Sequence, residues 1–152
     1  MFTSCCPAWI NMVEKSYPKY LQNVSTCRSP QGMMSNLVKH YFAKKIDKTP
    51  EEITVVSFMP CVAKKDEAKR ERLHTEGIQD TDYVISTREL GRMLQMAKVP
   101  FVSLEPVEHD DPLGLSTGAG LIFGATGGVM EAALRTGYEL ATGRELPDIN
   151  LH

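Results

Sequence analysis

Apolar residues fall along this chain in short clusters punctuated by proline and glycine, and the spacing within each cluster predicts its element. Ala8, Trp9, Ile10, Met12 and Val13 follow Pro7. Proline suits a first helical position, where its missing N–H needs no partner, so a helix is expected from about Pro7 to Tyr17, closed by Pro18. A polar connector, Gln22 to Arg28, leads to Ser29 as cap and Pro30 as first residue of a second helix. There Met33, Met34, Leu37, Val38 and Tyr41 recur at helical spacing to about Ile46 and predict one buried face. Ile53 to Met59 is a β-branched run without alternation, the pattern of a central parallel strand covered on both faces. A helix from Cys61 to about Leu73, a strand at Tyr83-Val84-Ile85 and a helix from Arg88 to Lys98 capped by Thr87 complete the rhythm. Strand, helix, strand, helix predicts an α/β fold. Its mostly parallel sheet is flanked by helices in right-handed βαβ units, with ligands at the carboxyl ends of strands. Cys61 lies at one such end.

Beyond Lys98 the pattern loosens. Ser103 to Gly120 holds Pro106, Pro112, Gly114 and Gly118 and reads as a long loop of the kind compact domains keep for function. The glycine-rich run Gly118 to Gly128 follows. It lacks the Gly-Lys-Ser/Thr of a phosphate loop and the spacing of a dinucleotide site, so its glycines are expected to serve close approach to a bulky ligand or a neighbouring element. A helix from Val129 to Leu140 ends at Gly143, and a strand is expected to begin near Pro147-Asp148-Ile149-Asn150-Leu151-His152. The chain starts inside a working motif and stops at that strand, which predicts a piece, residues 1–152, truncated at both ends.

Composition narrows the function classes. A chain of 152 residues suits one domain, and its net charge of −2 comes without a basic stripe, which argues against nucleic acid or an anionic membrane as partner. No run of eighteen apolar residues and no signal pattern appear, so a cytoplasmic location is expected. The four cysteines, Cys5, Cys6, Cys27 and Cys61, have no regular spacing and suit metal binding, catalysis or plain burial better than a disulfide framework.

Two of these positions stand out. Cys5-Cys6 precede the first helix and Cys61 precedes the third, and amides at helix N-termini stabilise thiolates and the anionic clusters they bind. Lys64, three residues past Cys61, shares its helical face and can reach whatever that thiolate holds. Lys65, Asp66, Lys69, Arg70 and Arg72 read as a solvated face with an Asp66–Arg70 pair. An iron–sulfur cubane needs four thiolates. Adjacent cysteines rarely both reach one metal centre and Cys27 sits in an irregular connector, so two ligands are expected rather than four. His40, His74, His109 and His152 are isolated and make no zinc pattern. A thiol oxidoreductase using Cys5 and Cys6 stays open on these grounds.

Thr3-Ser4-Cys5-Cys6-Pro7-Ala8-Trp9 and Met59-Pro60-Cys61-Val62-Ala63-Lys64-Lys65-Asp66-Glu67 resemble the first two signature motifs of the iron-only, or FeFe, hydrogenases. Thr87-Arg88-Glu89-Leu90 and Gly124 to Arg135 resemble the same large-subunit catalytic domain, so the similarity covers nearly the whole chain. The resemblance implies part of a two-lobed hydrogenase domain and an H-cluster. In that cofactor a 4Fe–4S cubane shares a cysteine sulfur with a two-iron subsite carrying CO, cyanide and a dithiolate. It implies Cys6 and Cys61 as cubane ligands, Cys5 as the thiol passing protons, Ser25 as a further proton step and Lys64 as donor to a cyanide. Met59, Phe123, Gln31 and Ser29 are implied to lie by the two-iron unit. The implied partners are protons and hydrogen, an electron carrier such as ferredoxin (or NAD in some members) and maturation proteins. The family's third motif, with the remaining two cubane cysteines, is absent from these 152 residues, so the cluster would be incomplete on this chain alone. The rival implied by the same fold is an iron–sulfur assembly or sensory relative without turnover.

Overall fold

Pro7 opens α1 (Pro7–Ser16), and Cys6 precedes it in an extended conformation, its carbonyl accepting from the Ile10 N–H at 3.2 Å. The structure is a computed structural model that describes residues 1–115 and 117–146. The strand expected at 147–152 lies outside the described residues. They divide into two compact units, Met1–Pro112 and the part from Leu113 onward.

In the first unit α1 runs into a 3-10 turn, Pro18–Asn23, after which Val24 forms a parallel bridge with Phe2. The Phe2 N–H donates to the Asn23 carbonyl and the Ser25 N–H to the Phe2 carbonyl, each at 2.7 Å. That bridge brings Ser25 alongside the segment leading to Cys5. Ser29 then caps α2 (Pro30–Asn36), accepting from the Gly32 N–H at 3.2 Å, and a π-helical turn, Leu37–Phe42, carries the chain into α3 (Ala43–Lys45).

The buried face of this second helical segment is the opposite of the expected one. Gln31, Ser35, Lys39 and Ala43 are buried, four residues apart, while Met34, Leu37 and Tyr41 are exposed. Hydrogen bonding explains the inversion, because a polar group taken from water costs little once it is paired. Ser35 Oγ accepts from Thr81 at 2.7 Å, and Lys39 Nζ donates to the Gln79 carbonyl and to Asp82 Oδ1, both at 2.7 Å. Gln31 Oε1 accepts from Ser57 at 2.8 Å.

β1 (Val56–Met59) and β2 (Tyr83–Ser86) pair in parallel, from Val56 opposite Tyr83 to Met59 opposite Ser86. They make a two-stranded sheet among the described residues. The strand read as covered on both faces is therefore open on one, where Val56, Phe58 and Tyr83 are exposed. The expected helix from Cys61 to Leu73 is also shorter. α4 spans Lys64–Ala68 and a separate 3-10 turn spans Glu71–Leu73, because Arg70 leaves helical geometry at ψ 108° and reaches back to α1. After β2, α5 (Thr87–Met96) is capped by Ser86 rather than Thr87. Ser86 Oγ accepts from the Glu89 N–H at 3.3 Å and Glu89 Oε2 accepts from the Ser86 N–H at 2.8 Å, a reciprocal pair that leaves Thr87 inside the helix. Lys65 also donates to Glu89, and that contact, with Ser86, holds the Glu89 carboxyl at about 2.

In the second unit part of the expected loop is helical, as α6 (Gly118–Phe123), and α7 (Gly128–Thr142) ends at Gly143 in the left-handed conformation, as its sequence predicts. One glycine of the rich run, Gly128, serves a neighbouring element. A Cβ on Gly128 would fall 1.7 Å from the Ile122 carbonyl oxygen, so α7 begins against the backbone of α6 only with glycine there. Gly128→Ala is expected to cost about 3 kcal/mol or more, as overpacking against backbone that cannot yield, and a lowered thermal midpoint of the intact protein checks it. No helix among the described residues is long and apolar enough to cross a membrane.

Candidate active site

Two clamps bring the cysteine-bearing segments together. The first joins α1 to the α4 segment: Arg70 donates to both carboxylate oxygens of Glu14 at 3.0 Å and to Asn11 Oδ1 at 2.5 Å, and Asn11 Nδ2 donates to Asp66 at 2.9 Å. Arg72 adds a bond to Glu14 at 2.5 Å. The Arg70 guanidinium is the main reason that the Glu14 carboxyl lies below its ordinary range. The expected Asp66–Arg70 contact is present at 3.6 Å, yet Arg70 is largely buried and Lys65 pairs with Glu89, so these two are structural ties and not a plain solvated face.

The second clamp is buried. Lys64, 6% exposed, donates to the Cys5 carbonyl at 2.6 Å and to Glu67 Oε2 at 2.9 Å, and Ser29 donates to Glu67 Oε1. A buried ammonium is tolerable when a carboxylate and hydrogen bonds replace its water. Glu67, itself 7% exposed, fills that role. Two of the three ammonium protons are thereby taken, and no third partner is found among the described residues. The sequence assigns Glu67 no role, although its place three residues after Lys64 on one helix is a signal of such a pair.

Between these clamps lies a cleft of about 460 Å³ lined by Cys5, Cys6, Ser25, Cys27, Ser29, Glu67 and Arg70, among others. Cys5 is exposed in it and Cys6 half-buried. Cys27, which matched no motif, lines the same wall. The expected residues are thus partly gathered: Cys5, Cys6, Ser25 and Ser29 share the cleft, and Lys64 grips its Cys5 wall from behind. Cys61, Met59 and Gln31 do not line it. Cys61 is half-buried in the turn that enters α4, its carbonyl accepting from the Lys64 N–H at 3.2 Å, and Met59 ends β1 just before it. Gln31 is buried against Ser57, and Phe123 ends α6 in the second unit. Of the isolated histidines, His40 is satisfied by Asp80 at 2.9 Å. Histidine 152 lies outside the described residues.

Of the two cysteines read as cluster ligands, Cys6 lines the cleft and Cys61 does not, so their chemistry suits part of an iron–sulfur group and not the whole of it. Cys6 and Cys61 carry soft sulfur donors of the kind that iron–sulfur groups use. No group of three or more His, Cys, Asp or Glu able to hold a metal ion occurs among the described residues.

Known proteins align along the full chain. Iron hydrogenase 1 of Clostridium pasteurianum is 47% identical over 149 residues, covering 98% of this chain and 26% of that protein. The periplasmic Fe hydrogenase large subunit of Nitratidesulfovibrio vulgaris is 47% identical over 147 residues, covering 97% of this chain and 35% of that protein. Among solved structures, apo FeFe-hydrogenase HydA1 from Chlamydomonas reinhardtii superposes with a TM-score of 0.82 at 47% identity, covering 100% of this chain and 38% of that one. A probable cytosolic Fe–S cluster assembly factor of Nematostella vectensis is more distant, 38% identical over 151 residues, covering 97% of this chain and 34% of that protein. The chain thus spans between about a quarter and two fifths of the length of these relatives. The family described as iron only hydrogenase large subunit, C-terminal domain, matches residues 1–152, and the chain belongs to it.

Proposed function

We propose that this chain supplies one wall of the active site of a hydrogenase that interconverts protons, electrons and hydrogen. The observation that carries the reading is the exposed Cys5 thiol in a cleft shared with Cys6, Ser25 and Ser29, its backbone held by the Lys64 ammonium. When bound, an H-cluster supplies the redox iron at which protons and electrons combine. Cys6 and Cys61 would hold its 4Fe–4S part, with the other thiolates coming from outside these residues. Cys5 holds and releases a proton at Sγ, Ser25 offers the next hydroxyl along the same wall, and Ser29, whose O–H goes to Glu67, would lie beside the two-iron part. The remaining Lys64 N–H is available to an anionic acceptor such as cyanide, as a charge-assisted bond. Met59 would pack against the two-iron part. Electrons would arrive from a carrier such as ferredoxin, and maturation proteins would install the two-iron part.

The assembly-factor reading rests on the more distant likeness. Cys5 weighs against it, because its exposed thiol in an open cleft is a proton donor that cluster carriage does not require. The intact protein, purified without oxygen, is expected to evolve hydrogen from an artificial reductant and to show infrared bands of CO and cyanide. Iron–sulfur absorption without those bands and without hydrogen would favour assembly instead.

Lys64→Ala should weaken the CO and cyanide bands far more than the cubane signal, since an unpaired buried acceptor costs about 1 to 3 kcal/mol. Unchanged bands in that variant would remove Lys64 from the proposed role.

A further inference from the structure

Two buried side-chain atoms lack a hydrogen-bond partner among the described residues, Gln31 Nε2 and His74 Nε2. Both residues line the same small cavity behind the cysteine cleft, with Glu67, Asp80 and Thr81 among its other walls. Gln31, Glu67, Asp80 and Thr81 are all more than nine-tenths buried. The free space is about 10 Å³, at the lower limit of the room that one water molecule needs. An orphaned polar atom in such surroundings is costly, and the sharing of one water-sized space by both orphans calls for a common partner.

We propose that this cavity is a built hydration site holding one ordered water. Ser57 donates to Gln31 Oε1 at 2.8 Å, which leaves the Nε2 end of the same amide as the free donor. The water accepts from Gln31 Nε2, donates one O–H to His74 Nε2 and the other to the Glu67 carboxylate. Glu67 is the acceptor with capacity to spare. Its two oxygens take one bond each, from Ser29 and Lys64, where a carboxylate has about four lone-pair sites. Asp80 has less to spare, already taking four bonds, from Arg28, Asn36 and Thr75 on Oδ2 and from His40 on Oδ1.

A continuous chain of hydrogen bonds then runs from the Cys5 carbonyl through Lys64 and Glu67 to the water, Gln31 and His74. Gln31 and His74 are positioning residues in this scheme: they hold the water that holds Glu67 under the Lys64 ammonium. That gives Gln31 a part distinct from the cofactor contact implied by resemblance, and it does not depend on hydrogen chemistry.

Diffraction from crystals of the intact protein, at a resolution that shows ordered solvent, tests the site directly. The expected result is a single peak about 2.7 to 3.2 Å from Gln31, His74 and Glu67. An empty cavity, a peak touching only one of them, or contacts short enough for a metal ion would each overturn it. A double-mutant cycle adds a readout that separate structural roles would not move. Gln31→Met and His74→Phe should each lower the denaturation midpoint, and the double variant should lose clearly less than the two losses added, because once the water is gone the second removal orphans nothing further. Additive losses would show that the two residues share no water. Should a variant fail to fold, the wild-type density decides alone.

Discussion

Cys6→Ala is expected to strip the intact protein of its iron–sulfur cluster, whereas Cys5→Ala keeps the iron and loses most hydrogen turnover. The two residues are consecutive, and Cys6 is extended at the start of α1, so their side chains diverge. Cys6 is the half-buried one and Cys5 the exposed one in the cleft. A thiolate ligand has no substitute in alanine, so its loss is all or nothing for the metal. A proton donor acts on rate instead, and general acid–base groups are worth about 10² to 10⁴-fold. Cys5→Ala should therefore retain about a hundredth of the activity or less. Cys5→Ser should rescue poorly, since alcohols release protons far less readily than thiols. Iron content and hydrogen evolution measured on the same preparations check both halves. Near-full activity in Cys5→Ala, or iron loss there and not in Cys6→Ala, would mean that the pair has been read one residue out of register.

Asp80→Ala should destabilise the first unit by about 3 to 5 kcal/mol, because it leaves several donors without their buried acceptor. The carboxylate is 4% exposed and receives Arg28 at 2.5 Å, Thr75 at 2.8 Å, His40 at 2.9 Å and Asn36 at 3.3 Å. Burial pushes its carboxyl up, but the bonds from Thr75, His40, Arg28 and Asn36 together outweigh that and leave it below its ordinary value. A group lowered on folding contributes stability that is fully present above its unfolded value, about 3.9, and is lost as pH falls through the folded one. Acid unfolding of the intact protein should thus steepen below about pH 4. In Asp80→Asn that dependence should flatten while stability near neutral pH drops, and denaturant midpoints across the acid range measure both. A pH profile that Asp80→Asn leaves unaltered would place the acid sensitivity elsewhere.

The sequence by itself determined the features that depend on near neighbours. Pro7 starting α1, Ser29 capping α2 and Gly143 ending α7 are decided by backbone groups within four residues, and all three are found where their residue types require. The motifs around Cys5-Cys6 and Cys61 were legible for the same reason, as was the parallel pairing of the two strands separated by a helical crossover. Even here the nearest alternatives were confused, since Ser86 and Thr87 are both competent caps and Glu89 chooses between them. Tertiary structure alone decided which polar residues are buried. Lys64 and the Cys5 carbonyl are 59 residues apart, Ser29 and Glu67 38, and Lys39 and Asp82 43. Hydropathy scores such residues as exposed because it counts the loss of water and not the partner that replaces it. Hence the pattern of the second helical segment points to the face opposite the buried one, and Glu67 carries no signal of burial until Lys64 and Ser29 are beside it.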